Sequence, residues 1–120
     1  MTTEYKKYSL YRKIVNACSG IREAVRHEKN MRSHIIVGCV VVFFAWYVSV
    51  SKTEVAILSL AIGFVIAIEL LNTAVEELCD VVTLEKHPQI KKIKDISAGA
   101  VLVASFFSVV IGICIFIPIS

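Results

Sequence analysis

Four polar side chains, Glu69, Asn72, Glu76 and Asp80, stand in a stretch otherwise apolar enough to cross a membrane. With Glu69 at zero and a helical advance of about 100° per residue, Asn72 falls near 300°, Glu76 near 340° and Asp80 near 20°, so the four share one stripe about 80° wide. Each ionisable group near the centre of a bilayer costs roughly 2.5 to 3.5 kcal/mol on insertion scales, so such residues mark a working site, an ion or proton path, or a buried pair. A carboxylate among apolar neighbours is a poorly hydrated anion, which makes Glu69 a candidate general base acting on a lipid hydroxyl. Glu76, with Glu28 from the start of the first apolar run, offers hard oxygen ligands to Mg²⁺, an ion that commonly binds through one or two carboxylates plus substrate phosphates. Lys94, beside Asp95 and preceded by Lys91 and Lys92, can meet phosphate oxygens as a point charge. Together these residue types suit phosphoryl transfer at a membrane surface.

Each residue also has a structural reading. Glu69 can be a neutral acid hydrogen-bonded between helices, and Asn72 can be interhelical glue. Glu28, between His27 and Lys29, can belong to a solvated face, and Lys94 with Asp95 can be an anchor and a helix N-cap. His27 and His34 read as interfacial side chains rather than metal ligands. Cys18, Cys39, Cys79 and Cys114 form no CxxC pair and suit neither a disulfide framework nor a zinc site. The sequence holds no Gly-rich phosphate loop, no HExxH pattern, no internal repeat and no low-complexity tract.

The elements that must position these groups are membrane helices. The 120 residues are 57% hydrophobic, with a mean hydropathy of +0.73, well above the roughly 45 to 50% apolar content of soluble domains. A single all-α membrane domain is expected. Between Ser9 and His27, Tyr11, Ile14, Val15, Cys18, Ile21 and Val25 recur at steps of three and four among Arg12, Lys13, Arg22 and Arg26, the pattern of an amphipathic surface helix at about 8–28. Its basic side chains favour anionic lipid headgroups. Three spans follow, at about 32–50, 54–80 and 95–119. Trp46 and Tyr47 suit an aromatic belt at the end of the first. Along the second, the apolar run from Val55 to Ile68 carries the helix roughly 21 Å inward at 1.5 Å per residue, leaving about 9 Å of a core about 30 Å thick at Glu69. The stripe therefore runs from lipid depth towards water at Asp80. Small residues, from Ser97 to Ala100 and at Ala104 and Ser105, fit the third span for close helix packing.

Orientation follows from charge. Of the thirteen Lys and Arg, eight lie from Lys6 to Arg32, four from Lys86 to Lys94, and Lys52 alone lies between the first two apolar runs. The positive-inside rule places the N-terminus and the 80–95 loop in the cytoplasm and the C-terminus outside. The polar N-terminus has no secretory-signal pattern, so the spans themselves are expected to direct insertion. Nucleic acid is not an expected partner of a chain with net charge +3.

The segment Glu69-Leu-Leu-Asn72-Thr73-Ala74-Val75-Glu76-Glu77-Leu-Cys-Asp80 resembles the signature ExxN[ST]AxExxxD of the prokaryotic diacylglycerol kinase and undecaprenol kinase family. Gly20-Ile-Arg22, His27-Glu28-Lys29-Asn30, Arg32, Glu85-Lys-His87-Pro88 and Lys94-Asp95-Ile-Ser-Ala-Gly-Ala-Val follow the same family order, so the similarity covers nearly the whole chain. The resemblance implies a three-span homotrimer with a surface helix, in the bacterial cytoplasmic membrane, that phosphorylates a lipid alcohol from Mg-ATP at sites between protomers. By position, Glu69 would be the catalytic base, Glu28 and Glu76 the Mg²⁺ ligands, and Lys94 a phosphate contact. Glu85, Lys86, His87 and Asp95 would join Glu28, Glu76 and Lys94 around ATP, with Asn72, Asp80 and Arg32 supporting the site or binding substrate. Ser9 and Asn16 stand where diacylglycerol kinase members carry an Arg and a Tyr. The His-Glu-Lys-Asn, Glu-Lys-His-Pro and Asp-Ile-Ser-Ala-Gly-Ala-Val elements, with Ile-Phe-Ile-Pro near the end, look more like the undecaprenol kinase branch. Diacylglycerol is the alternative substrate. A proton-coupled transporter built around one intramembrane Glu, and a regulatory membrane subunit, are the non-kinase alternatives.

Overall fold

Local chemistry at each break in the apolar pattern decides where the helices begin. In the computed structural model, which describes residues 9–83 and 85–118, four helices follow one another: α1 (Leu10–His27), α2 (Lys29–Tyr47), α3 (Lys52–Val82) and α4 (Pro88–Phe116). Ser9 caps α1, its Oγ accepting from the Arg12 amide at 3.3 Å. α1 and α2 are separated by Glu28 alone, whose extended backbone (φ −110°, ψ 112°) ends one helix and starts the next.

Ser51 and Glu54 form a reciprocal capping box: Ser51 Oγ accepts from the Glu54 amide and Glu54 Oε1 accepts from the Ser51 amide. That box fixes the start of α3 at Lys52, three residues ahead of the apolar run. The turn before it passes through Ser49 in the left-handed region (φ 58°), an uncommon conformation for a residue with a Cβ.

α4 begins well before its apolar stretch. Pro88 occupies the first turn, where a missing amide proton costs nothing, and His87 Nδ1 accepts from the Gln89 amide at 3.1 Å. Asp95 is therefore no N-cap; it lies about two turns inside the helix. At the far end the helix stops at Phe116, and Pro118 disfavours helical backbone at the residue before it. The helix ends expected at residues 8 and 119 lie outside the described residues.

The register between helices is read from side chains that meet. His34 faces Glu69 and Gly38 faces Ile62, so α2 runs antiparallel to α3. A Cβ built on Gly38 would sit 2.9 Å from Ile62 Cγ2, so only glycine allows this spacing without a shift of the neighbour. Ser108 Oγ donates to the Ala61 carbonyl at 3.4 Å while Lys94 pairs with Asp80, so α4 is antiparallel to α3 as well. α3 is the hub: it packs most extensively on α4, then on α2, and touches α1 near Glu28.

The buried residues of α3, namely Leu58, Ala61, Val65, Glu69, Asn72 and Cys79, follow one another at three-, four- and seven-residue steps and form a single seam. Beyond that seam little is enclosed. The radius of gyration is 18.1 Å, against roughly 14 Å for a compact domain of this length, and the extents are 64 × 40 × 21 Å. Large apolar side chains such as Phe43, Leu60, Leu102 and Phe106 stay exposed. α2, α3 and α4 are each long and apolar enough to cross a membrane, and that apolar surface is suited to lipid or to neighbouring copies. α1 likewise leaves Leu10, Tyr11, Ile14 and Ile21 outward, as an interfacial helix does.

Candidate active site

The polar stripe of α3 continues its buried apolar seam. Val65 is one turn before Glu69, and the same face that packs Leu58 and Ala61 against the neighbouring helices turns Glu69 and Asn72 inward, to 2% and 9% exposure. The Thr73 hydroxyl donates to the Glu69 carbonyl at 3.1 Å, so it is used within the helix and leaves the Glu69 carboxylate free of it. Asn72 Oδ1 is buried and accepts no hydrogen bond from the described residues. A buried acceptor in that state costs about 1 to 3 kcal/mol, so the amide is a group still awaiting a donor.

Two further carboxylates lie within electrostatic reach of Glu69. Glu28, half-buried at the α1–α2 break, and Glu76, two turns beyond Glu69, are both close enough for their charges to act on Glu69. Among the described residues no three His, Cys, Asp or Glu side chains form a complete metal cage. Two half-buried carboxylates nevertheless match the sparse protein donor set of a Mg²⁺ ion that takes its other ligands from phosphate and water, so Glu28 and Glu76 fit that ion. The extended backbone of Glu28 explains its place: a helical residue there would carry α1 straight into α2.

A second polar cluster lies at the same end of the molecule. Lys94 Nζ is 2.9 Å from Asp80 Oδ1, joining α4 to α3, and Glu76 lies within electrostatic reach of the same ammonium. The hydrogen bond to Asp80 holds the Lys94 ammonium in place. Lys91 pairs with Asp95 at 2.6 Å one turn earlier on the surface. Around a concavity of about 600 Å³, Asp80, Lys94 and Asp95 are joined by Glu85, Lys86 and His87 from the α3–α4 turn. Of the residues expected around a nucleotide, Glu85, Lys86, His87, Lys94 and Asp95 line this concavity, whereas Glu28 and Glu76 do not, and His87 commits its Nδ1 to the helix cap. Glu76, reaching both Glu69 and Lys94, links this concavity to the buried carboxylates.

Arg32 braces the break between α1 and α2. Its guanidinium donates to the Val25 carbonyl at 3.1 Å and the Arg26 carbonyl at 2.8 Å, satisfying the open C-terminal end of α1. It fixes α1 against α2 and so holds the Glu28 joint. His27 pairs with Glu23 on the surface of α1.

Sequence reasoning missed His34. Read as interfacial, it instead lies in the α2 packing seam with Met31, Gly38 and Ala45, and its Nε2 is 3.5 Å from Glu69 Oε2. The three- and four-residue spacing of that seam was the available signal. His34 and Ser33 also line one end of an apolar groove of about 440 Å³ that runs between α2, α3 and α4 to Phe116. There the Phe116 ring meets that of Phe44, with centroids 5.1 Å apart.

The arrangement combines a buried carboxylate, two half-buried carboxylates within electrostatic reach of it, a lysine beside a polar concavity and an apolar groove. Comparison with known proteins gives matching results. The profile of the prokaryotic diacylglycerol kinase family matches residues 15–116. The chain is 40% identical to undecaprenol kinase of Bacillus subtilis over 108 residues, covering 90% of this chain and 88% of that protein. It is 35% identical to a diacylglycerol kinase of Synechocystis sp. over 103 residues, covering 85% of this chain and 59% of the other. Against the diacylglycerol kinase of Pseudomonas aeruginosa the identity is 32% over 104 residues, covering 83% of this chain and 85% of that protein.

Proposed function

Because the chain belongs to the prokaryotic diacylglycerol kinase family, lipid kinases that transfer phosphate to an alcohol, we propose that it is an undecaprenol kinase using Mg-ATP at the cytoplasmic face of the bacterial inner membrane. The observation that carries the choice of acceptor is the 40% identity to an undecaprenol kinase along nearly the full length of both chains. The family elements around Glu28, His87 and Lys94 lean the same way. Diacylglycerol is the second reading, supported by the relatives from Synechocystis sp. and Pseudomonas aeruginosa.

In this reading the lipid hydroxyl meets Glu69, which takes its proton as the hydroxyl oxygen bonds to the γ-phosphorus. The bond from that phosphorus to the β,γ-bridging oxygen breaks, and ADP leaves. Glu28 and Glu76 would hold Mg²⁺, which when bound neutralises phosphate charge. Lys94, kept in place by Asp80, offers its ammonium to the phosphates, while Glu85, Lys86, His87 and Asp95 surround the nucleotide. Asn72 Oδ1, lacking a donor among the described residues, supports the site by accepting from a bound group. The basic residues flanking α1 and the α3–α4 turn support a cytoplasmic placement of this end. The splayed protomer, with its apolar faces exposed, supports assembly into a homotrimer whose protomers complete one another's sites.

The deciding experiment follows phosphate from γ-labelled ATP, with and without Mg²⁺, to undecaprenol and to diacylglycerol offered separately to purified protein in mixed micelles. Preferential, Mg²⁺-dependent labelling of undecaprenol is expected. Preference for diacylglycerol would reassign the acceptor, and labelling of neither would overturn the kinase reading.

A further inference from the structure

The α2 seam that packs on α3 is built from Met31, Gly38 and Ala45, all buried and all apolar or small, with one polar exception among them, His34. The facing seam of α3 is likewise apolar from Leu58 to Val65, and its first polar exception is Glu69. The two exceptions occur at the same level, with His34 Nε2 3.5 Å from Glu69 Oε2. Two unrelated polar intrusions would not need to meet. Close packing at Gly38 on Ile62, about one turn away, sets the register that makes them meet.

We infer that His34 is the positioning residue for the Glu69 carboxylate: its Nε2–H faces Oε2 and leaves Oε1 turned to the acceptor hydroxyl. The inference rests on the kinase reading of Glu69. A carboxylate this buried needs a donor to fix its orientation, and among the described residues His34 is the side chain that reaches it. At 3.5 Å the contact is longer than a formed hydrogen bond, as catalytic contacts often are before substrate binds. His34 is also partly exposed, and it lines the apolar groove that ends at Phe116. It therefore stands where a lipid lying in that groove would bring its head to the base. A surface histidine at a membrane interface would have neither the buried partner nor the place in the packing seam.

The test compares His34→Gln, which keeps an amide N–H near the position of Nε2, with His34→Leu, which keeps bulk but donates nothing. With Mg-ATP and the preferred lipid, His34→Leu is expected to lower kcat by up to about a hundredfold, the scale on which an ~1 Å misplacement of a reacting group slows a reaction. KM for ATP should stay near its original value, and His34→Gln should recover most of the rate. Equal loss in both variants together with a lowered melting temperature, or no loss in His34→Leu, would overturn the inference. A second readout does not depend on turnover. The imidazole ¹⁵N resonances of His34 should shift in Glu69→Gln, and unchanged resonances would overturn the pairing even in an active kinase. If the unmodified protein phosphorylates neither lipid, the kinase reading falls and this role for His34 falls with it.

Discussion

Lys94 Nζ and Asp80 Oδ1, 2.9 Å apart, tie the first turns of α4 to the last turns of α3. Asp80 is the last member of the α3 stripe, and Lys94 is the first charge of α4 to reach across to it. The pair fixes the ammonium at the rim of the concavity that also holds Glu85, Lys86 and His87.

Removing the charge at this point should therefore affect nucleotide use first. Lys94→Met is expected to raise KM for ATP by on the order of tenfold or more, with KM for the lipid unchanged. Asp80→Asn should give a smaller rise, because the ammonium remains but is no longer held. Since one residue acts through the other, the double variant should be little worse than Lys94→Met alone, and additive losses would refute that dependence.

Glu69 and Glu76 are two turns apart on one face yet should separate in a magnesium titration. Glu76→Gln and Glu28→Gln each remove a proposed ion ligand. The Mg²⁺ concentration giving half-maximal activity should rise at least as much as the roughly 10- to 100-fold cost of losing even an outer-shell partner of a metal. Glu69→Gln should instead lower kcat by about 10²- to 10⁴-fold, the usual worth of a general base, without moving the magnesium midpoint. A midpoint that moved in Glu69→Gln would make that residue an ion ligand instead.

Much of this site was legible because helical periodicity fixes which residues share a face. Glu69, Asn72, Glu76 and Asp80 could be placed on one stripe from spacing alone, and the structure buries the first two and exposes the last. Relations across helices were not legible. The His34–Glu69 contact depends on the α2–α3 register, and that register depends on a close approach at Gly38 that no local pattern announces. Arg32 could be recognised as a conspicuous cation but not as the brace for the carbonyls of α1, because that role requires the single-residue break at Glu28. The start of α4 was hidden for a related reason. Hydropathy locates the apolar stretch, while Pro88 and His87 start the helix well ahead of it.

The Gly38 contact can itself be tested. A methyl group there meets Ile62 Cγ2 at 2.9 Å, and the β-branched isoleucine has little freedom to yield. Gly38→Ala should lower stability by about 1 to 3 kcal/mol, the usual cost of overpacking. Combining it with Ile62→Ala, which removes the obstructing carbon, should return part of that loss. Thermal unfolding in detergent across the four combinations of the two sites reads the coupling directly, and strict additivity would show that the two residues do not meet.

Asn72 offers a case in which stability and activity should move in opposite directions. Its Oδ1 is buried without a donor among the described residues, which is costly, and it sits one turn from Glu69 on the same buried face of α3. Asn72→Leu is close in volume and removes the unsatisfied acceptor. It should leave folding intact or stabilise it by about 1 to 3 kcal/mol, because the desolvation cost of the amide disappears. If the amide accepts from substrate or from a neighbouring copy, the same change should lower kcat by on the order of tenfold, an amount similar to one lost hydrogen bond in a water-excluded site. Asn72→Asp keeps an acceptor but adds a charge beside Glu69 and Glu76, so it should lose both activity and stability. Measured together, unfolding midpoints and turnover distinguish a site-supporting amide from structural glue: glue would lose stability in Asn72→Leu, whereas a working acceptor loses rate alone.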